Sequence, residues 1–198
     1  ESTFALWQDY LASDSSAGST DPRPGYPSLR VRGDIAFIGL SSACPTPPLM
    51  ASGRIEDLEL AALPGLLKDC EQRGLFRVVY VHHSPVPGQE KWRKRLVNAD
   101  ALAQTLGAHG AELVLHGHGH RMRRATLPSD RGEIPVLAIP SASALGLHGA
   151  DVAAYNVYDV ARSESGWQLG VTTRRFDSNS GRFDDGDSYS IPVSRATL

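Results

Sequence analysis

The chain has 198 residues, of which 41% are hydrophobic and 21% charged, which is ordinary usage for a single globular domain. Its 20 basic and 22 acidic residues leave a net charge of −2, which gives no general attraction to nucleic acid or to an anionic membrane. No apolar run approaches the roughly 20 residues of a membrane span, and Cys44 and Cys70 have no CxxC spacing, so we expect a cytoplasmic protein without a membrane span.

The N-terminal part predicts one helix and one hairpin. Residues 4–12 have the apolar spacing of a helix, and a loop rich in Ser, Gly and Pro follows them. Residues 28–43 predict a hairpin, because an alternating strand and a nearly continuous apolar strand flank a turn at Gly33-Asp34.

The middle of the chain alternates helices and strands. Residues 55–74 predict a helix that Pro64 should kink or split, and residues 75–83 predict a buried strand. A second helix over 98–110, with Asn98 as its cap, leads to a short apolar strand that begins at 111. The order strand, helix, strand predicts parallel pairing of the two strands.

The C-terminal part changes character. Four strand-like runs between 124 and 176 are separated by turns without a helix, which favours antiparallel structure. Residues 177–198 are polar and predict a loop or an edge hairpin. Because neither a repeat nor a linker is visible, we interpret residues 1–198 as one unit.

Five of the seven histidines lie at the ends of two apolar strands, just before Gly or Pro breaks: His82, His83, His116, His118 and His120. In open α/β sheets, ligands bind beyond the carboxyl ends of parallel strands, so adjacent strands would bring the two clusters together. Imidazole is a common metal ligand, and an HxH pair can present two nitrogens to one site. The sequence therefore predicts a metal site at this edge.

The stretch "VVYVHHSPVP", followed by "AELVLHGHGH", resembles the last two motifs of the calcineurin-like metallophosphoesterases, which are an H-x-P and a G-H-x-H. The resemblance covers about residues 28–175. It implies a four-layer α/β/β/α fold, a β-sandwich flanked by helices, of which this chain would be the C-terminal part. It also implies a hydrolase with two divalent ions, Mn, Fe or Zn.

The same resemblance implies roles for single residues. His82 and His118 would bind one metal, and His120 would bind the other. His83 is an alternative to His82, because H-x-P also fits His83-Ser84-Pro85; otherwise His83 and His116 would support the ligands. Arg121, next to the last ligand, would contact the phosphate of the substrate.

The earlier motifs of the family, D-x-H, G-D-x-x-D and G-N-H-[DE], are absent from the sequence. Gly33-Asp34 begins a G-D-x-x-D pattern, but Phe37 stands in place of the second acid. We therefore expect this chain to hold three metal ligands and to lack the bridging carboxylate, the Asn ligand and the catalytic His.

The expected function is metal-dependent hydrolysis of small phosphoesters, in particular phosphodiesters, by a binuclear site that this chain contains only in part. The chain alone should have little activity, and it should either self-associate or bind a separate N-terminal portion. The alternative is an inactive fragment or binding module with a vestigial histidine site. The basic run at 91–95 is interpreted as a solvated face, with contact to an anionic substrate as the alternative.

Overall fold

A computed structural model describes residues 25–146 and 151–194. The predicted helix at 4–12 lies outside these residues. The strands are β1 (Ser28–Arg32), β2 (Ile35–Gly39), β3 (Phe76–Val81), β4 (Leu113–His116), β5 (Arg123–Ser129), β6 (Gly132–Ala138), β7 (Ala154–Ser163), β8 (Gly166–Asp177) and β9 (Arg182–Ser194). The helices are α1 (Asp57–Gln72) and α2 (Ala99–His109).

The first sheet has the strand order β1-β2-β3-β4-β6-β5. Strands β2, β3, β4 and β6 are parallel, and β1 and β5 are antiparallel strands at its two edges. The predicted hairpin and the parallel pairing of β3 with β4 are confirmed. The prediction of antiparallel structure after residue 124 is confirmed for the pair β5 and β6, but β6 also pairs in parallel with β4, which the sequence did not indicate.

The second sheet contains β7, β8 and β9, and all its pairings are antiparallel. Within the polar segment predicted as a loop or edge hairpin, Arg182–Ser194 form β9, which pairs with β8 as an edge strand of this sheet. A register shift between Thr172 and Arg174 interrupts that pairing.

The first sheet buries both of its faces. Alternation along β3 sends Val79 toward the core beneath the helices, which includes Leu63 of α1 and Leu102 of α2. Phe76, on the opposite face, packs against Trp167 of β8 with an edge-to-face ring distance of 5.5 Å. The described residues therefore form an α/β arrangement in which helices cover one face of a sheet and a second sheet covers the other.

Two local predictions need correction. Helix α1 is not split at Pro64, because the buried side chains of Leu63 and Leu67 hold both halves against the sheet. Asn98 makes no side-chain cap for α2. Its amide instead pairs with the backbone of Ile55, accepting from N at 3.1 Å and donating to O at 2.8 Å, and this fixes the start of α2 against the loop before α1.

Candidate functional site at the carboxyl edge of the first sheet

Parallel pairing brings the two histidine clusters to the same edge. In the register of β3 and β4, Val81 lies opposite His116, so the residues that follow each strand leave the sheet side by side. His82 Nε2 lies 3.2 Å from His118 Nδ1, and the centroids of the two rings are 5.0 Å apart. The two motifs thus meet through one imidazole from each.

The separation of these two nitrogens suits a shared ion. Two imidazoles bound to one tetrahedral zinc at about 2.0–2.1 Å would have their nitrogens about 3.3 Å apart. An N–H···N hydrogen bond has a similar length, so the distance fits both a hydrogen-bonded and a metal-bound pair. Binding would require the proton between the two rings to move to the other nitrogen of its own ring, so that both facing nitrogens present lone pairs.

His118 is held in a costly conformation. Its φ of 63° lies in the left-handed region, where a side chain with a Cβ is strained. Its Nε2 is buried and has no hydrogen-bond partner among the described residues. Burial, followed by the nearby His83, His82 and Lys94, lowers the pKa of His118 to about 4, so the ring is neutral at physiological pH, as a metal ligand must be.

His83 has both ring nitrogens engaged by the protein. A carbonyl oxygen can only accept, so Nε2–H donates to Ala51 O at 3.0 Å, and Nδ1 accepts from the Ser42 hydroxyl at 2.8 Å. Burial lowers the pKa of His83, which keeps this neutral tautomer. A Cβ on Gly53 would overlap His83 Nδ1, so only glycine permits this packing.

The ring of His83, fixed by these two hydrogen bonds, packs against the ring of His118, with the two centroids 4.2 Å apart. In this arrangement, His82 is the histidine of the pair with a ring nitrogen facing His118. Ser42 and His83 resemble a nucleophile and its base, but both are buried at 2% and 6% exposure, so no substrate reaches the hydroxyl.

His116 ends β4 and is buried. Its Nδ1–H donates to Gly117 O at 3.2 Å, and burial lowers its pKa to about 4 despite that hydrogen bond. The ring is thus neutral and tied to the backbone of the loop that carries His118. His116 is therefore placed to stabilise the loop that carries His118.

His120 and Arg121 are exposed at the end of the same loop. His120 also has a positive φ, 52°, and its carbonyl accepts from Asp151 N at 3.0 Å. Asp151 in turn accepts from Met122 N at 2.7 Å, so this acid braces the loop. Within residues 25–146 and 151–194, no three His, Cys, Asp or Glu side chains converge in a way that could hold a metal ion. The assignment of His120 as a ligand stays a prediction.

Glu90 is a residue that the sequence interpretation overlooked. Its side chain is only 10% exposed, and its Oε1 lies 3.1 Å from Arg123 Nη1 without the angle of a hydrogen bond. A Cβ on Gly119 would lie 3.0 Å from the same oxygen, so the carboxylate packs against the loop of His118 and His120. A single acid in a polar loop carries no periodic signal, and only the fold brings it to the site.

A cavity of about 140 Å³ lies at the opposite edge of the sheet, next to Arg77, Glu112 and Trp167. Its buried charges are already paired with each other, with Arg77 Nη2 at 2.8 Å from Glu112 Oε1. Among the described residues that line it, no buried side-chain nitrogen or oxygen lacks a hydrogen-bond partner. The histidine edge is therefore the better candidate site.

The sequence matches no protein-family model and no curated protein. The described helices include none that is both long enough and apolar enough to span a membrane. The interpretation of the site accordingly depends on its own geometry and on the two histidine motifs.

Proposed function

We propose that this chain contributes part of a two-metal site for the hydrolysis of small phosphoesters, most simply phosphodiesters. His82 and His118 would bind one divalent ion, and His120 the other, with the carboxylate and amide ligands supplied from outside the described residues. The sheet arrangement would then be the C-terminal part of the four-layer α/β/β/α sandwich of the metallophosphoesterases.

The observation that carries the proposal is the pair of imidazole nitrogens 3.2 Å apart, His82 Nε2 and His118 Nδ1. The buried Nε2 of His118 has no hydrogen-bond partner among the described residues, and because it is the other nitrogen of the ring it would need a partner of its own. Nitrogen donors from His and oxygen donors from acids together suit Zn, Mn or Fe.

The histidines and Arg121 would have different roles in this site. His82 and His118 hold the ion, His83 fixes the ring of His118, and His116 fixes the backbone of its loop. When bound, the ions would polarise a phosphoryl oxygen and supply a hydroxide at neutral pH. Arg121, exposed beside His120, would receive the charge of the substrate phosphate.

The test is Zn²⁺ and Mn²⁺ binding measured by calorimetry on the purified chain and on single variants. We expect His82→Ala and His118→Ala each to weaken binding by about tenfold or more, because each removes half of the donor pair. His109→Ala is the matched control, since this histidine ends α2 at the opposite edge, and it should bind as the parent chain does.

Equal affinity in the parent chain and both variants would contradict the metal site. Hydrolysis of bis(para-nitrophenyl) phosphate should be near background for this chain alone. Turnover that His118→Ala abolishes would show instead that the chain holds a complete site. Metal binding without hydrolysis, even when an N-terminal portion bearing the three earlier motifs is added, would favour a binding module with a vestigial site.

A further inference from the structure

Two loops run side by side at the end of the molecule where the helices begin. Ala51 N donates to Arg93 O at 2.9 Å, and Gly53 N donates to Arg95 O at 3.1 Å. These bonds hold the loops parallel. The turn at Leu49, two residues before Ala51, therefore lies beside the residues that precede Arg93.

The turn presents an apolar side chain to solvent. Leu49 is 91% exposed and has a φ of 67°, in the left-handed region where a residue with a Cβ is strained. Two hydrogen bonds hold this turn. Met50 N donates to Pro47 O at 3.1 Å, and the Thr46 hydroxyl donates to Met50 O at 3.0 Å. The backbone thus keeps this leucine out of the core.

The neighbouring segment combines an aromatic ring with a cluster of cations. Trp92 is 60% exposed, and the guanidinium of Arg93 lies 5.2 Å from the centroid of its ring. Lys91, Lys94 and Arg95 are also exposed, and none of the four cations forms an ion pair with another described residue. Two apolar tips are therefore surrounded by unneutralised positive charge.

We propose that residues 46–50 and 91–95 form a docking surface for an anionic lipid membrane. Trp side chains favour the membrane interface, a leucine can enter the acyl boundary, and cations are attracted to acidic headgroups. Stable attachment without a spanning helix needs two such signals, and this docking surface carries both an apolar and a basic one.

Single-stranded nucleic acid would account for Trp92 and the cations, since bases stack on aromatic rings. It would not account for Leu49, which has no ring to offer and whose exposure is maintained against backbone strain. The observations therefore favour lipid. The proposal does not depend on the metal site, because none of its residues is a proposed ligand.

The test is co-sedimentation of the chain with phosphatidylcholine vesicles, prepared with and without phosphatidylserine. We expect binding only when phosphatidylserine is present, and weaker binding at high salt. Lys91→Gln with Arg93→Gln should reduce the affinity by about 25-fold, at about fivefold for each cation. Leu49→Ser and Trp92→Ser should each reduce it severalfold, because each removes an apolar anchor.

Matched controls are Lys68→Gln, on the outer side of α1 toward its far end, and Val157→Ser, on the second sheet. Both should bind as the parent chain does. Circular dichroism of every variant separates lost docking from lost folding. Binding that ignores phosphatidylserine, or that survives Leu49→Ser and Trp92→Ser, would overturn the proposal. So would tighter binding to single-stranded DNA that Leu49→Ser leaves unchanged, which would identify a nucleic-acid surface.

Discussion

The two edges of the first sheet both hold buried titratable side chains, but they differ in whether these side chains have hydrogen-bond partners. At the amino edge, the Arg77 guanidinium donates to both oxygens of Glu112 at 2.8 and 2.9 Å and to His109 O at 2.9 Å. At the carboxyl edge, His118 has a strained backbone and a buried nitrogen without a partner among the described residues. A satisfied network is typical of a structural role, whereas an unsatisfied and strained one is what the proposed ligand site predicts.

The largest effect is expected from removing one partner of the buried Arg77–Glu112 ion pair at the amino edge. Glu112→Gln removes the charge that compensates Arg77, whose side chain is 4% exposed. We expect the free energy of unfolding to fall by about 3 kcal/mol or more, because an unpaired buried charge is costly. Urea unfolding of the variant and the parent chain measures the difference.

The control is the double variant Arg77→Met with Glu112→Leu, which replaces the pair by apolar side chains of similar size. It should recover most of the lost stability, since such replacements are often neutral. A loss below about 1 kcal/mol in Glu112→Gln would mean that water or other groups already solvate the pair.

A second prediction concerns Glu59, a buried carboxyl at the carboxyl edge that has a backbone partner, Ser41 N at 2.7 Å. Burial raises the pKa of Glu59 to about 7, and the nearby charge of Glu56 adds to this. The folded chain thus holds the proton more tightly than the unfolded one. Its contribution to stability is complete below pH about 4.5, falls as the pH rises to about 7, and is constant above.

Glu59→Gln should remove this dependence, because glutamine keeps the acceptor for Ser41 N and cannot ionise. We expect the variant to gain about 3 kcal/mol relative to the parent at pH 8, and little at pH 4.5. The comparison between the two chains matters, because His116 and His118 titrate with lowered pKa and destabilise the folded state in acid. A pH-independent difference would show that Glu59 is not the group responsible.

Much of this site could be predicted from the sequence, because its framework is local. The predicted strand over 75–83 becomes β3, which ends at Val81 just before His82, and the run that begins at 111 becomes β4, which ends at His116; parallel pairing then fixes their proximity. Periodicity and chain order determine both facts. The sequence favours His82 over His83 as the ligand because His82 directly follows the apolar strand. Both ring nitrogens of His83 are hydrogen-bonded within the protein, which also favours His82.

The remaining contacts depend on tertiary structure and leave no pattern in the chain. Ser42 reaches His83 across 41 positions, and Glu90 reaches Arg123 across 33, through loops that carry no periodic signal. Asn98 has the residue type of a helix cap, but Ile55 of another loop offers its amide a pair of bonds. At Asn98, the tertiary contact therefore overrides the local preference for a helix cap.

The smallest expected effect tests the strain on which the comparison depends. At His118, with φ of 63°, glycine should be more stable than alanine by about 1 kcal/mol, because only the Cβ is penalised there. Both variants remove the imidazole, so their difference isolates the backbone. At exposed Gln104 in α2, the order should reverse, with Gly less stable than Ala by about 0.5–1 kcal/mol.

Urea unfolding of the four variants measures both differences. If alanine were as stable as glycine at residue 118, the loop would not adopt the left-handed conformation, and the contrast between the two edges would lose its backbone component. If glycine is the more stable, the chain keeps a histidine where a glycine would fold better. A ligand that binds only the folded imidazole pair, and therefore stabilises the parent chain but neither variant at this position, would supply the reason.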